Sequence, residues 1–308
     1  MVNMAVPVAH AQEVSVSKSF QRCLNWSFLL ARETDLSRLS AEEIQTALVK
    51  IGEPPEQDIG CYLYPEVSAS VQSYVKSRAG SDGLYLFMDV GAGTVDLSIF
   101  IYYRHESNDR PFSYPSAGII PLGSSQIEMR VARNLNGNRP ETIAELQEIV
   151  RRVKEGHGNH DESISQEMRV TEREIENEMF QEAAPILGVG RKYIHRPQCP
   201  QWRSLKMLIG GGGAETPLYR NAVNQWFERF SHFTPEVSPI PLPAQLQWPA
   251  NIPESQRDRL FRRFSVAYGL SFDIANLDDH RFPQDMPPLP IEPDTPPERP
   301  QAPTKDEC

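Results

Sequence analysis

Short apolar runs alternate with amphipathic stretches along this chain, a rhythm that predicts strands interleaved with helices. Val2 to Val8 reads as a first strand, and Val16, Phe20, Cys23 and Leu24 then recur at helical spacing. Ser40 with Glu43 predicts a capping box opening a second helix, whose apolar face is Ile44, Ala47, Leu48 and Ile51. Gly52-Glu53-Pro54-Pro55 ends it. Ile59 to Leu63 predicts a strand, and Pro65 opens a helix with Val67, Val71, Tyr74 and Val75 on one face. A strand pair follows around a hairpin at Asp89 and continues through Tyr103, with a third strand near Gly118 to Pro121. From Gln126 to Gln181 the pattern is helical and heavily charged. Leu205 to Ile209 reads as a short buried strand, and Thr216 caps a helix with Pro217 at its first position. Leu218, Ala222, Trp226 and Phe230 mark that helix's buried face.

Candidate chemistry sits where two of these strands end. Residues 87–98 carry an apolar strand that exits onto Asp89, a turn of Gly91, Ala92, Gly93 and Thr94, and a second strand bearing Asp96. A carboxylate at a strand end beside a turn with few side chains suits a metal-chelated polyphosphate, because Mg²⁺ takes few carboxylates plus phosphates and waters. Asp and Gly are equally the residues of an ordinary hairpin. The second glycine cluster, Gly210 to Gly213, lies between a strand and a capped helix, which is a recurrent anion or nucleotide site and a poor place for a linker. Leu122-Gly123-Ser124-Ser125 forms a further turn, whose serines read first as a helix cap and second as phosphate contacts. His157 to Glu162, with two histidines amid glycine and asparagine, reads as a solvated loop rather than a metal site.

Composition narrows the field. At 308 residues the chain can bury a substantial core, yet only 39% of it is hydrophobic and it holds 27 prolines. Residues 281–308 are rich in proline and acids and predict a disordered tail. A net charge of −10 argues against nucleic acid as a partner. The cysteines Cys23, Cys61, Cys199 and Cys308 show no metal-ligand spacing. Cys23 and Cys61 read as small buried hydrophobes of a reducing, cytoplasmic protein. No segment is long and apolar enough to span a bilayer, and the short apolar start lacks the basic region of a signal peptide.

With these motifs in order, the chain resembles the actin-like ATPase superfamily, and within it the DnaK-like heat-shock chaperone ATPase. Asp89 to Asp96 is similar to that family's second phosphate motif, D-x-G-G-G-T-x-D, with Ala92 in place of a glycine. Met207 to Pro217 is similar to its adenosine motif, with an extra residue in the turn. Phe264 to Leu270 resembles its second connecting helix, A-x-A-Y-G, and Tyr62 to Tyr74 its first, E-P-T-A-A. Residues 1–12 and the helix around Phe20 resemble its V-x-V-P-A strand and following helix. The likeness runs through residues 1–275.

The resemblance implies an α/β, ribonuclease-H-like fold with one complete lobe, a helical insertion and a partial first lobe. The expected division is a first-lobe remnant over residues 1–80, a second lobe over 81–280 with its insertion at about 126–200, and the tail. It implies ATP and Mg²⁺ as cofactors. Asp89 would hold the metal, Gly91, Ala92, Gly93, Thr94 and Asp96 the phosphates, and Gly211, Gly212 and Gly213 the ribose and adenine. A protein client or co-chaperone is the implied partner. Two departures stand beside the matches. The family's first phosphate hairpin, D-x-G-T-T, does not precede Met1, so the chain is expected to start partway through the first lobe. Tyr64 occupies the place of a glutamate that orients the attacking water, a role that falls to Glu66 just after Pro65. ATP hydrolysis and nucleotide binding without turnover both remain open at this point.

Overall fold

A computed structural model describes residues 1–33, 35, 39–54, 59–77, 80–103, 112–137, 141–157, 161–194 and 200–286. The chain opens with β1 (Val2–Val6), α1 (Val8–Ala11), α2 (Val14–Glu33), α3 (Ala41–Ile51) and β2 (Cys61–Pro65). Two short helices, α4 (Glu66–Ser70) and α5 (Gln72–Val75), lead to β3 (Gly83–Val90), β4 (Val95–Tyr102) and β5 (Phe112–Ile120). Three helices follow: α6 (Ser125–Asn136), α7 (Ile143–Lys154) and α8 (Glu162–Ile194). Then come β6 (Lys206–Gly210), α9 (Pro217–Ser231), β7 (Glu236–Pro239), α10 (Glu254–Leu270) and β8 (His280–Arg281).

The strands form a parallel β1–β2 pair and a six-stranded sheet in the order β7-β6-β3-β4-β5-β8. Within the larger sheet β3, β4 and β5 make an antiparallel meander, while β6 runs parallel to β3 and β7 parallel to β6. That order and those directions are the ribonuclease-H-like arrangement expected from the sequence.

Both faces of this sheet are covered, so its central strands are apolar throughout rather than alternating with polar residues. The period of two instead sorts the apolar residues by type. Leu84, Leu86, Met88 and Val90 of β3 share one face with Val95, Leu97 and Ile99 of β4. They pack on Ile127 and Val131 of α6, Ile175, Met179 and Leu187 of α8, and Leu218, Val223 and Phe227 of α9. Tyr85, Phe87, Phe100, Tyr102, Phe112 and Tyr114 build the opposite, aromatic face against Val67, Val71 and Val75 of α4 and α5 and Phe261 of α10. Asp89 continues the odd-numbered series of β3, and Asp96 shares the even-numbered series of Phe100 and Tyr102. Strand geometry therefore delivers both acids to the side where α4 and α10 cross.

That crossing is tight. A Cβ on Gly269 of α10 would collide with the Ala69 carbonyl of α4, so glycine is what lets the two backbones touch.

Several expectations need correction. The first strand stops at Val6, because Pro7 starts a new turn and Val8 belongs to α1. The expected strand before Pro65 and helix after it are present, with the strand running over Cys61–Pro65, but the helix is two short helices broken at Val71 rather than one. The third strand begins at Phe112, well before Gly118; its aromatic residues fill the layer described above, with Pro115 inside the strand. Cys61 is buried, but Cys23 is exposed because Leu24, Asn25 and Leu30 form the inward face of α2. The capping box of Ser40 and Glu43 is present, yet no residue of α3 is fully buried. The tail starts later than Arg281: β8 pairs with the start of β5, and Phe282 stacks on Tyr114. Residues 287–308, Cys199, and Gly158 to His160 of the histidine loop lie outside the described residues. Among the described residues no helix is long and apolar enough to cross a membrane.

Candidate functional site

Register brings the two glycine turns together. β3 and β6 run parallel with Asp89 opposite Gly210, so both strands end at the same level and their following turns are neighbours. In α/β sheets such carboxyl ends of adjacent parallel strands are where ligands bind. The junction is close-packed. Gly211 adopts φ +83°, and a Cβ there would collide with Asp89 Oδ1 and the Val90 carbonyl. Only glycine satisfies both the left-handed backbone and the approach of the carboxylate. Gly213 N–H donates to the Val90 carbonyl at 2.9 Å, and Gly211 N–H to the Arg262 carbonyl at 3.2 Å. The second turn is thus tied to β3 on one side and to α10 on the other.

The hairpin turn is fixed from a different direction. Gly91 N–H closes the loop onto the Thr94 carbonyl at 2.9 Å. The amides of Gly123, Ser124 and Ser125 donate to the carbonyls of Gly93, Gly91 and Ala92 at 3.0, 2.9 and 2.9 Å, and Ser125 Oγ adds a bond to the Ala92 carbonyl at 2.6 Å. The hairpin's carbonyls are engaged from behind. The amides of Ala92, Gly93 and Thr94 make no backbone hydrogen bond among the described residues, and these three residues are exposed. A row of free N–H groups next to a carboxylate suits a phosphate that carries a metal. The serines do not cap α6 with their side chains, so the capping role expected of them is replaced by this clasp on the hairpin. Thr216 likewise stands at the start of α9 without a side-chain cap bond.

Beside the turns lies a carboxyl cluster. Asp89 and Asp96 face each other across the hairpin, and Glu66 joins them from the first turn of α4. All three are half-buried, and no basic side chain pairs with any of them among the described residues. Burial pushes the Glu66 and Asp89 carboxyls up to about 7; Asp96 adds to the shift at Glu66, and Glu66 to that at Asp89. Asp96 rises to about 6, again by burial first and then by the charge of Asp89, against a hydrogen bond from Thr94. Three carboxyls that raise one another are a site short of positive charge. Among the described residues no group of His, Cys, Asp or Glu could hold a metal on protein ligands alone. A divalent cation here would be completed by phosphate and water, which is the common habit of Mg²⁺.

A cleft of about 1020 Å³ opens next to this junction. Ala92 of the hairpin, Ser124 and Ser125 of the clasp, and Gly212, Gly213 and Thr216 of the second turn line one side. Residues of α6, α7 and α8, among them Glu128, Lys154 and Met168, line the other. The three acids, Gly91, Gly93, Thr94 and Gly211 do not line this cleft, and Gly211 packs on Asp89. Sequence reasoning placed a helical layer here but assigned none of its residues, because helical spacing alone does not say which face meets a distant turn. The structure names Lys154, whose ammonium donates to Glu128 at 2.8 Å and to the Ser124 carbonyl at 2.9 Å, joining α7 to the clasp. Arg263 of α10 was missed too, since nothing local in its helix marks it as part of the cleft.

No protein-family model and no curated protein matches the chain. Among solved structures it is similar to a non-polymerisable quadruple mutant of pCBH ParM, at 12% identity and TM-score 0.47 over 88% of this chain and 68% of that one. It is similar to the PilM–PilN type IV pilus biogenesis complex, at 16% identity and TM-score 0.41 over 77% and 63%. It is similar also to MreB 5 of Spiroplasma citri bound to AMPPNP, at 13% identity and TM-score 0.41 over 76% and 64%. The chain spans about two thirds of the length of these structures, or slightly less. Likenesses at this level assign no residue and no activity. Sheet order and strand directions together give the chain an α/β, ribonuclease-H-like arrangement.

Proposed function

We propose that this chain binds a magnesium adenine nucleotide across its two glycine turns. The observation that carries the reading is the junction of Gly211 with Asp89 at the edge of one cleft that Ala92, Gly212 and Gly213 share. The free amides of Ala92, Gly93 and Thr94 take phosphate oxygens, and Gly212 and Gly213 leave room for the nucleoside end. Asp89, supported by Asp96, is the metal-side carboxylate. When bound, Mg²⁺ neutralises phosphate charge and orients the phosphoryl group.

Glu66 decides whether binding leads to hydrolysis. A carboxyl held at about 7 is suited to accept a proton from water at neutral pH, and Glu66 stands beside the phosphate-side acids. Hydrolysis coupled to movement at the α4–α10 crossing is the fuller form of this proposal. A chaperone-like output on a protein client is a finer form of this proposal, supported by the order of the motifs along the chain. A second reading, nucleotide sensing without turnover, is favoured by Tyr64, whose hydroxyl donates to the Asp278 carbonyl at 2.7 Å in the place where the motif carries its glutamate.

Steady-state phosphate release with Mg²⁺ and ATP separates the two. A rate that Asp89→Asn and Glu66→Gln both abolish supports the ATPase. Calorimetric binding of MgATP with no release supports the sensor, and absence of binding ends both.

A further inference from the structure

The cations of the cleft are not equivalent. Arg151, Lys154, Arg169, Arg259 and Arg263 all line it. Lys154 is held by Glu128 and the Ser124 carbonyl, Arg151 by Glu148 and Glu155, and Arg259 by Glu215 at 3.4 Å. Arg169 and Arg263 have no acidic partner among the described residues. Both are exposed, and Arg169 lies on α8 in the helical layer. Arg263 reaches from α10 onto the second glycine turn itself.

Its placement there is specific. The guanidinium Nε, Cζ and Nη2 atoms lie 3.2, 3.6 and 3.7 Å from where a Gly212 Cβ would stand, so the group lies flat over a residue that has no side chain to displace it. A planar guanidinium stacked on backbone keeps its N–H edge free for an anion. The neighbouring residue, Gly211, touches Asp89. The second glycine turn thus meets a carboxylate at Gly211 and, at Gly212, a guanidinium with no acidic partner among the described residues. Attraction for a cation on one side and an anion on the other fits the two ends of a single ligand, a metal-chelated phosphate chain.

We propose that Arg263 binds the phosphate chain of the nucleotide and supplies, from the glycine-turn side, the positive charge that Asp89, Asp96 and Glu66 lack. The proposal rests on the nucleotide reading above and assigns to it a binding residue from outside its motifs. The same guanidinium stacked on the purine ring is the competing assignment, and the test tells the two apart.

Titration calorimetry of the full chain and of Arg263→Gln with MgATP, MgADP, AMP and adenosine supplies the comparison. The variant is expected to lose about tenfold or more in affinity for MgATP, less for MgADP, and nothing for adenosine. Arg263→Lys is expected to restore part of the MgATP affinity. Arg203→Gln, which removes an exposed charge outside the cleft, is expected to leave the whole series unchanged. An unaltered melting temperature without ligand shows that Arg263→Gln keeps the fold. An equal loss for all four ligands overturns the phosphate assignment in favour of base stacking, and an unchanged MgATP affinity overturns any role for Arg263. A wild-type chain that takes up none of the ligands removes the nucleotide reading and this proposal with it.

Discussion

Asp89 carries opposing demands. It is sunk beside Glu66 and Asp96 without a cation, so in the ligand-free protein it opposes folding at the pH where it is charged. The three folded-state values lie above those of the unfolded chain, near 4, so between about pH 4 and 7 the folded protein holds more protons than the unfolded one. Their contribution to stability is thus expected to be full below about pH 4 and to be lost as pH rises from there through 7. Melting temperatures measured across that range without divalent ions check this, and a flat profile contradicts it. Asp89→Asn is expected to raise the melting temperature at pH 7.5 while abolishing stabilisation by MgATP. A variant that is more stable yet does not bind separates function from folding at one residue. Gly211→Ala acts in the other direction. Its backbone stands at φ +83° against Asp89, so about 1–3 kcal/mol of stability is expected to go, together with nucleotide binding, as read by urea unfolding and calorimetry.

Helix ends and crossings decide what the elements contribute. α7 begins with a complete capping box, Thr142 and Glu145, and ends at Lys154 on the clasp. Thr142→Ala is expected to cost roughly 1 kcal/mol and to loosen the Lys154 end of the cleft, seen as faster amide exchange over residues 143–154. The crossing of α4 with α10 has no room at Gly269, and Gly269→Val is expected to destabilise by about 1–3 kcal/mol or more by forcing the helices apart. Caps of this kind are legible in sequence because they are local: Ser40 and Glu43 were found three residues apart. The aromatic strand β5 was read too short because its residues make sense only against Tyr85 and Phe100 of other strands. Cys23 was misplaced because a helical pattern gives the period of an apolar face but not its partner.

Across the whole molecule, the parallel pairing of β3 with β6 is what turns two separated glycine motifs into one site. MgATP is expected to protect the amides of residues 91–94 and 211–213 together, with α7 following. Hydrogen exchange that slows in one turn alone would contradict a shared ligand. Binding that is selective for the folded state also raises stability, by about 2.7 kcal/mol at a hundredfold excess over Kd.

The sequence by itself determined the local chemistry: a carboxylate at the end of an apolar strand, turns without side chains, capped helices, and their order along the chain. Those features depend on residues a few positions apart, where backbone sterics and side-chain reach act directly. Only the tertiary structure decided that Gly211 packs on Asp89 and that Arg263 lies over Gly212. Such contacts join residues far apart in the chain, and strand register and helix crossing, which no local pattern encodes, fix them.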